Sequence, residues 1–144
     1  MYKYLKDIKK FIKTRLKLAP NIEVKSLSGY SGFFNMDTNT IIVDKNLSDE
    51  KFIMTVLHEA MHAFCVKKGK YKIYHKTFDY LETKREVSIF LNTALNAELY
   101  VEEAARKLAR DFEPDFEYRD HFGIKLFLED LEQYKRLAKE KGLL

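Results

Sequence analysis

The sequence predicts an α+β fold that is mostly helical, with a small antiparallel three-stranded sheet. Apolar residues recur every three or four positions through much of the 144-residue chain, which is the spacing of helices buried along one face. Three short apolar runs lie between the first two helical segments and have the length of strands. With 46% hydrophobic residues, five glycines and two prolines, the composition is that of a folded domain. We therefore expect one domain over residues 1–144, with a core at 22–112 flanked by helices 2–18 and 124–141.

The first predicted helix covers residues 2–18. One face of it carries the apolar residues Leu5, Ile8, Ile12 and Leu16, and Pro20 marks its end. Seven basic residues against the single acid Asp7 give this helix a positive surface. That surface is compatible with a nucleic-acid partner. An ordinary solvated face, whose lysine stems cover apolar surface, is favoured because no aromatic or arginine-rich readout pattern accompanies the charges.

Three predicted strands follow at residues 22–27, 31–36 and 40–44. The turn sequence Asp37-Thr38-Asn39 separates the last two strands and predicts a hairpin. Their short apolar runs are expected to form the sheet that packs against the next helix.

Three further helices are predicted after the strands. The first runs from about residue 51 to 67, with Ser48 or Asp49 as its N-cap and Gly69 beyond its end. A long helix then begins near Tyr80 or Leu81 and continues to about Phe112, with a break along it left open. The last covers roughly residues 124–141.

Several totals restrict the class of protein. The single cysteine excludes an internal disulfide framework and suits a reducing compartment. No stretch resembles a signal peptide, and none approaches the roughly 20 apolar residues of a membrane span. We therefore expect a soluble cytoplasmic protein without a membrane partner. The formal net charge of +4 permits an anionic partner but does not require one.

The stretch LHEAMHAF, residues 57–64, places two of the chain's four histidines four positions apart in an apolar segment. On a helix, His58 and His62 then share one face and lie close enough to bind one ion. Glu59 is offset by about 100° around the helix, so it suits a proton acceptor for a water at the ion better than a third ligand. Two imidazoles and a carboxylate at this spacing are typical of zinc hydrolases. The alternative is a pair of core histidines satisfied by ordinary hydrogen bonds.

A catalytic zinc needs a third protein ligand, and the sequence offers three candidates. Glu98 lies in the middle of the apolar face of the long helix, where a carboxylate must be paired, protonated or bound to metal. Glu102 is one turn further on and nearer the edge of that face, so it is either a ligand or a hydrogen-bond partner of a ligating histidine. His75, thirteen residues after His62, is the third candidate. Expected burial favours Glu98. The ligand set favours zinc, although such sites also accept manganese, cobalt or nickel.

These residues resemble a minimal zincin. The segment TIIVDKNLSDEKFIMTVLHEAMHAF, residues 40–64, is similar to IrrE-type metallopeptidases and to related small phage and bacterial proteins, in which a short strand, a brief linker and the HExxH helix follow one another. In the Glu-ligand zincins a glutamate on a later helix completes the site. ELYVEEAARKLA resembles that segment, with Glu98 or Glu102 at the ligand position. A second similarity, to SprT-like proteases that act on DNA–protein crosslinks, places a third histidine at the position of His75.

The resemblance implies a zinc-dependent metallopeptidase that hydrolyses a peptide bond in an unidentified protein or peptide, with Glu59 as general base. An oxyanion stabiliser is expected, and the sequence does not choose among its candidates, which are Tyr71, Tyr74, His75, Tyr118 and His121. An extended substrate would pair along strand 40–44 or its hairpin partner. The alternatives are a SprT-like DNA-associated protease, a non-catalytic regulatory or nucleic-acid-binding protein with a zincin fold, and a helical domain without metal.

Overall fold

The computed structural model describes residues 3–75, 78–118 and 123–144, and within the last helix it leaves out the side chains of residues 125 and 126. Five α-helices and three strands make up the regular structure of this part of the chain. In order they are α1 (Leu5–Leu16), β1 (Asn21–Lys25), β2 (Gly32–Asn35), β3 (Thr40–Asp44), α2 (Asp49–Lys68), α3 (Lys72–His75), a short 3₁₀ helix (Phe78–Tyr80), α4 (Lys84–Phe112) and α5 (Gly123–Glu140). The predicted α+β class, mostly helical with a three-stranded sheet, is confirmed.

The sheet is mixed, so the prediction of an antiparallel sheet was wrong in part. Its strand order is β1-β3-β2, with β2 and β3 antiparallel and β1 parallel to β3. The predicted hairpin accounts for the antiparallel pair. After residues 26–31, β2 runs antiparallel to β1 but does not pair with it. β3 lies between these two strands, pairs with both and runs in the same direction as β1. The four residues from Thr40 to Val43 are buried because β3 is the central strand.

Helix α2 is the element around which the sheet and α4 pack. Ser48 caps its N-terminus by accepting a hydrogen bond from the Lys51 amide at 3.3 Å. Gly69 ends the helix in the left-handed conformation, with φ at 69°. Eleven of its residues are buried, including Leu57 and Met61 on either side of the histidine turn. A helix apolar on most of its surface is one that other elements surround.

Helix α4 is continuous over 29 residues, so no break occurs where the sequence left one open. Thr83 caps it, accepting from the Glu86 amide at 3.1 Å, and Glu86 accepts in return from the Glu82 amide at 3.2 Å. The predicted start near residue 80 was too early because a 3₁₀ turn and this cap precede the helix. The face towards α2 carries small buried residues, including Ala105 and Ala109, which let the two helices approach closely.

Two apolar clusters form the core and meet along α4. The first joins the sheet, α1, α2 and the C-terminal half of α4, and contains Ile8, Ile41, Leu57, Val101 and Tyr118 among others. The second joins the N-terminal half of α4 to α5 and the 3₁₀ helix, and contains Phe78, Phe90, Ala94, Phe127 and Leu131 among others. Burying each large side chain contributes about 1.5–3 kcal/mol. On α4, Glu98 lies between Ala94 of the second cluster and Val101 of the first.

The terminal helices pack on this core as amphipathic elements. Helix α1 buries Ile8 and Ile12, while its basic side chains are exposed and Arg15 pairs with Asp111 of α4 at 2.7 Å. Helix α5 buries Phe127 and Leu131. Among the helices that the structure describes, none has both the length and the apolar character needed to cross a bilayer.

Candidate metal centre

His58 and His62 lie on successive turns of α2 and face the same side, as their spacing predicts. Their ring centroids are 5.0 Å apart. His58 is 4% exposed, whereas the side chains of Glu59 and His62 are partly exposed and line a cleft. Together the three residues offer nitrogen and oxygen atoms that all lie within 4.8 Å of one another, close enough to hold a metal ion.

Helix α4 brings two glutamates against these histidines. Glu98 Oε1 lies 2.6 Å from His58 Nε2, and its other oxygen lies 3.4 Å from His62 Nε2. Glu102 Oε2 lies 2.8 Å from the opposite nitrogen of His58, Nδ1. The expected burial of Glu98 is confirmed, at 6% exposure. Glu102 is just as buried, at 4%, so its expected place nearer the edge of the face was wrong. Glu102 is buried because His58 and its ion-pair partner Arg106 both lie against its carboxylate.

Glu98 therefore bridges the two histidines, and Glu102 contacts only His58. Arg106, one turn further along α4, donates to Glu102 Oε1 at 3.3 Å and to the Tyr118 carbonyl at 3.1 Å. This arginine balances the buried charge of Glu102 and ties it to the segment that follows α4. Glu103, expected to face solvent, is exposed.

The paired carboxylates control the protonation of His58. Burial alone lowers the pKa of an imidazole, but the hydrogen bonds to Glu102 and Glu98 outweigh it and raise the pKa of His58 to about 10. In the metal-free protein, His58 is therefore an imidazolium at neutral pH. Burial by itself raises the pKa of Glu98, but His58 and His62 reverse this effect and hold that pKa well below its usual range.

Tyr74 completes the surroundings of Glu98. Its hydroxyl donates to Glu98 Oε2 at 2.5 Å, and its ring packs against Phe90 and Phe127 of the second cluster. Burial, followed by the negative charge of Glu98, raises the pKa of Tyr74, so the hydroxyl stays a donor at neutral pH. The phenol reaches the centre because the short helix α3 carries it over α4.

His75, the neighbour of Tyr74 on α3, does not converge with Glu98 on the Nε2 atoms of the other histidines. Its Nε2 lies 3.2 Å from His62 Nδ1, and its own Nδ1 donates to the Tyr71 carbonyl at 3.1 Å. Burial lowers the pKa of His75, and the nearby His62 lowers it further. As a third ligand, His75 therefore fits less well than Glu98, because both of its nitrogens are directed to other partners.

A cleft of about 740 Å³ opens above the centre. Its floor contains His58, Glu59, His62, Tyr74 and Glu98. One wall comes from β2 and the segment before it, including Tyr30, Gly32 and Phe33, and the opposite wall comes from α5, including Phe127, Glu129 and Asp130. A group of buried polar residues thus has an open approach from solvent, which an ordinary core histidine pair does not need.

The remaining oxyanion candidates lie elsewhere or outside the described residues. Tyr118 donates its hydroxyl to the Glu113 carbonyl at 2.7 Å, and burial raises its pKa. The Tyr71 ring packs beside Tyr100, with centroids 6.0 Å apart. His121 lies outside the residues that the structure describes. Of the tyrosine candidates, Tyr74 is the one that lines the cleft floor.

Sequence reasoning missed two contributors to this site. Arg106 was not considered, although its position four residues after Glu102 on one helix is a readable signal for an ion pair. No local sequence pattern predicts that α5 forms a wall of the cleft, because this depends on how α5 packs against α4.

Comparison of the chain with family models, with curated protein sequences and with solved structures finds no match in any of the three. The class of site therefore rests on its own geometry: His58, Glu59 and His62 could hold a metal ion, and the Glu98 carboxylate lies against both histidines.

Proposed function

We propose that this chain is a zinc-dependent metallopeptidase of zincin-like architecture, which hydrolyses a peptide bond in a protein or peptide target. The observation that carries the proposal is the convergence of His58 and His62 with Glu98 beneath an open cleft, with Glu59 beside them. The ligands proposed for the metal are His58, His62 and Glu98, and Glu59 is the proposed general base.

The donor set fits a zinc ion. Ligands at about 2.0–2.1 Å in a tetrahedral zinc site lie about 3.3 Å from one another. His62 Nε2 and Glu98 Oε2 are 3.4 Å apart, which is close to that separation. His58 Nε2 and Glu98 Oε1, at 2.6 Å, instead share a proton that a bound ion would replace. Glu102 and Arg106 then keep the remaining nitrogen of His58 hydrogen-bonded, the arrangement that orients a ligating imidazole.

Bound zinc would supply Lewis acidity, which polarises a scissile carbonyl and makes a nearby water more acidic. Glu59 takes the proton of the attacking water and later delivers it to the leaving amine. We assign Tyr74 to hydrogen-bond to the oxyanion, because its hydroxyl lies on the cleft floor and keeps its proton at neutral pH. Its single hydrogen, which Glu98 Oε2 accepts in the free protein, would then pass to the oxyanion. Phe33 and Phe127, on opposite walls of the cleft, pack against the substrate and limit water access.

The sheet offers one strand on which an extended substrate can pair beside the centre. β3 is hydrogen-bonded on both sides, so of the two strands expected to offer a substrate edge, residues 40–44 are excluded and the hairpin partner remains. Its hairpin partner β2 is an outer strand, and its residues Gly32 and Phe33 line the cleft. A peptide added to β2 would cross the cleft with alternate side chains directed to either wall.

The test combines metal content with hydrolysis. Wild-type protein is expected to bind one zinc per chain and to cleave members of a mixed peptide library, read by mass spectrometry. Glu59→Gln should keep the zinc and lose cleavage, and the double variant His58→Ala/His62→Ala should lose both. Zinc retained by the double variant would end the proposal, and so would cleavage that survives in Glu59→Gln at the wild-type rate.

A nucleic-acid-binding role, as in a SprT-like or a non-catalytic zincin-fold protein, has one supporting observation. The basic side chains of α1 are all exposed, including Lys9, Lys10 and Lys13 along one stretch. If these three lysines bind phosphates, replacing them with glutamine should lower the salt slope of DNA binding by about 2–3, because each neutralised phosphate adds about 0.9 to that slope. An unchanged slope would leave α1 as a solvated surface.

A further inference from the structure

A chain of hydrogen bonds leads from the backbone of the α3 segment to His62. The Tyr71 carbonyl accepts from both the His75 amide and the His75 Nδ1, each at 3.1 Å. The other ring nitrogen of His75 lies 3.2 Å from His62 Nδ1. The amide bond holds the His75 backbone, the Nδ1 bond orients its ring, and the ring's Nε2 is directed at His62.

The Tyr71 carbonyl fixes which ring nitrogen donates and which accepts in the hydrogen bonds from Tyr71 through His75 to His62. A carbonyl oxygen can only accept, so His75 Nδ1 carries a hydrogen and a neutral His75 presents Nε2 as an acceptor. His62 must then donate from Nδ1 to fill that acceptor. A neutral His62 donating there keeps its lone pair on Nε2, the nitrogen that lies 3.4 Å from Glu98 Oε2.

The two histidines of α2 are therefore supported in parallel but by different groups. His58 is held at Nδ1 by the carboxylate of Glu102, and His62 is held at Nδ1 by the imidazole of His75. In both rings the Nε2 atom is turned towards Glu98. We propose that His75 is a positioning residue, which selects the tautomer and the orientation of His62 so that its Nε2 is free to bind the metal. This inference rests on the proposed metal centre.

The competing assignment makes His75 itself a ligand. A metal at His75 Nε2 would lie beside His62 Nδ1, on the far side of the His62 ring from Glu98, so His62 would have to bind through the wrong nitrogen or turn over. The positioning role needs no such rearrangement. It also accounts for the adjacent positions of Tyr74 and His75 on α3. Tyr74 hydrogen-bonds to Glu98 and His75 hydrogen-bonds to His62, and these two partners lie 3.4 Å apart.

The experiment measures zinc affinity by competition with a chelator, without any peptide substrate. His75→Leu removes the acceptor and should retain one zinc per chain while raising Kd by about 10–100-fold. His75→Gln supplies an amide oxygen near the position of Nε2 and should recover much of that loss. Glu102→Ala, which removes the corresponding support of His58, serves as the matched comparison.

A long-range ¹H–¹⁵N spectrum of zinc-loaded wild type reports which nitrogen of His62 is protonated and which binds the metal. A purely structural role of His75 would not determine this tautomer. His62 is expected to be protonated at Nδ1 and metal-bound at Nε2, and this measurement decides even where a variant fails to fold. Binding of His62 through Nδ1, unchanged affinity in both His75 variants, or complete loss of zinc from folded His75→Gln would overturn the inference. Wild type that takes up no zinc would instead overturn the proposed function, and the inference with it.

Discussion

Glu98 and Glu102 bind opposite nitrogens of one imidazole: Glu98 Oε1 lies 2.6 Å from His58 Nε2, and Glu102 Oε2 lies 2.8 Å from His58 Nδ1. The glutamates are one helical turn apart, so both reach the same ring from α4. Only Glu98 also approaches His62, at 3.4 Å, while Glu102 is joined to Arg106. This division is the reason we propose Glu98 as the ligand and Glu102 as the support of His58.

The two carboxylates should respond differently to removal. Glu98→Ala is expected to abolish stoichiometric zinc binding because a ligand is removed. Glu102→Ala should keep one zinc per chain with affinity lowered by about 10–100-fold, since the ring of His58 loses its orientation. Glu103→Ala, an exposed neighbour, is the control and should match wild type. Zinc lost from Glu102→Ala but kept by Glu98→Ala would reverse the assignment.

Metal uptake should release a proton. The pKa of His58 is raised to about 10 in the metal-free protein, so the ring is protonated at pH 7.5 and must give up its Nε2 proton to bind an ion. Calorimetric titration with zinc in two buffers of different ionisation enthalpy should report about one proton per ion from His58. Apparent affinity should therefore rise about tenfold per pH unit between pH 6.5 and 8. An affinity that is flat over this range would contradict the raised pKa.

Removal of the Tyr74 hydroxyl should slow hydrolysis more than it weakens binding. Tyr74→Phe keeps the ring packing against Phe90 and Phe127 but loses the donor. Tyr74 also donates to the proposed ligand Glu98, so the comparison uses protein with one zinc per chain. On a peptide identified in the cleavage screen, kcat should then fall about 100-fold or more with little change in KM, since an oxyanion donor acts in the transition state. Tyr71→Phe is the matched control. A kcat within a factor of two of wild type in Tyr74→Phe would exclude the oxyanion role.

Gly32 is needed for close packing of β2 on α2 and β3. A Cβ at this position would lie 2.7 Å from the Ile42 carbonyl oxygen and 2.8 Å from Thr55 Cγ2, both closer than normal contacts. Gly32→Ala is therefore expected to lower the free energy of unfolding by about 1–3 kcal/mol. Urea denaturation of the metal-free protein measures this change. An unchanged midpoint would show that β2 can shift without cost.

The four long helices could be predicted because their signals are local, whereas the short helix α3 was not predicted. Ser48 and Gly69 bound α2 within two residues of the predicted ends, since capping depends on neighbouring backbone groups. The direction of β1 relative to β3 could not be predicted, because the residue pattern of so short a strand does not indicate whether its neighbour is parallel or antiparallel. Pairing with β3 instead of β2 was decided by which strand filled the gap in the sheet.

The sequence by itself determined that His58 and His62 share one face of a buried helix with Glu59 beside them, because helical spacing alone places side chains four residues apart together. It also determined that Glu98 lies on the buried face of α4. Only the tertiary structure decided which carboxylate bridges the histidines and which supports one of them. The two glutamates share a face of α4, so their roles depend on how α4 lies along α2, and neither helix carries that information alone.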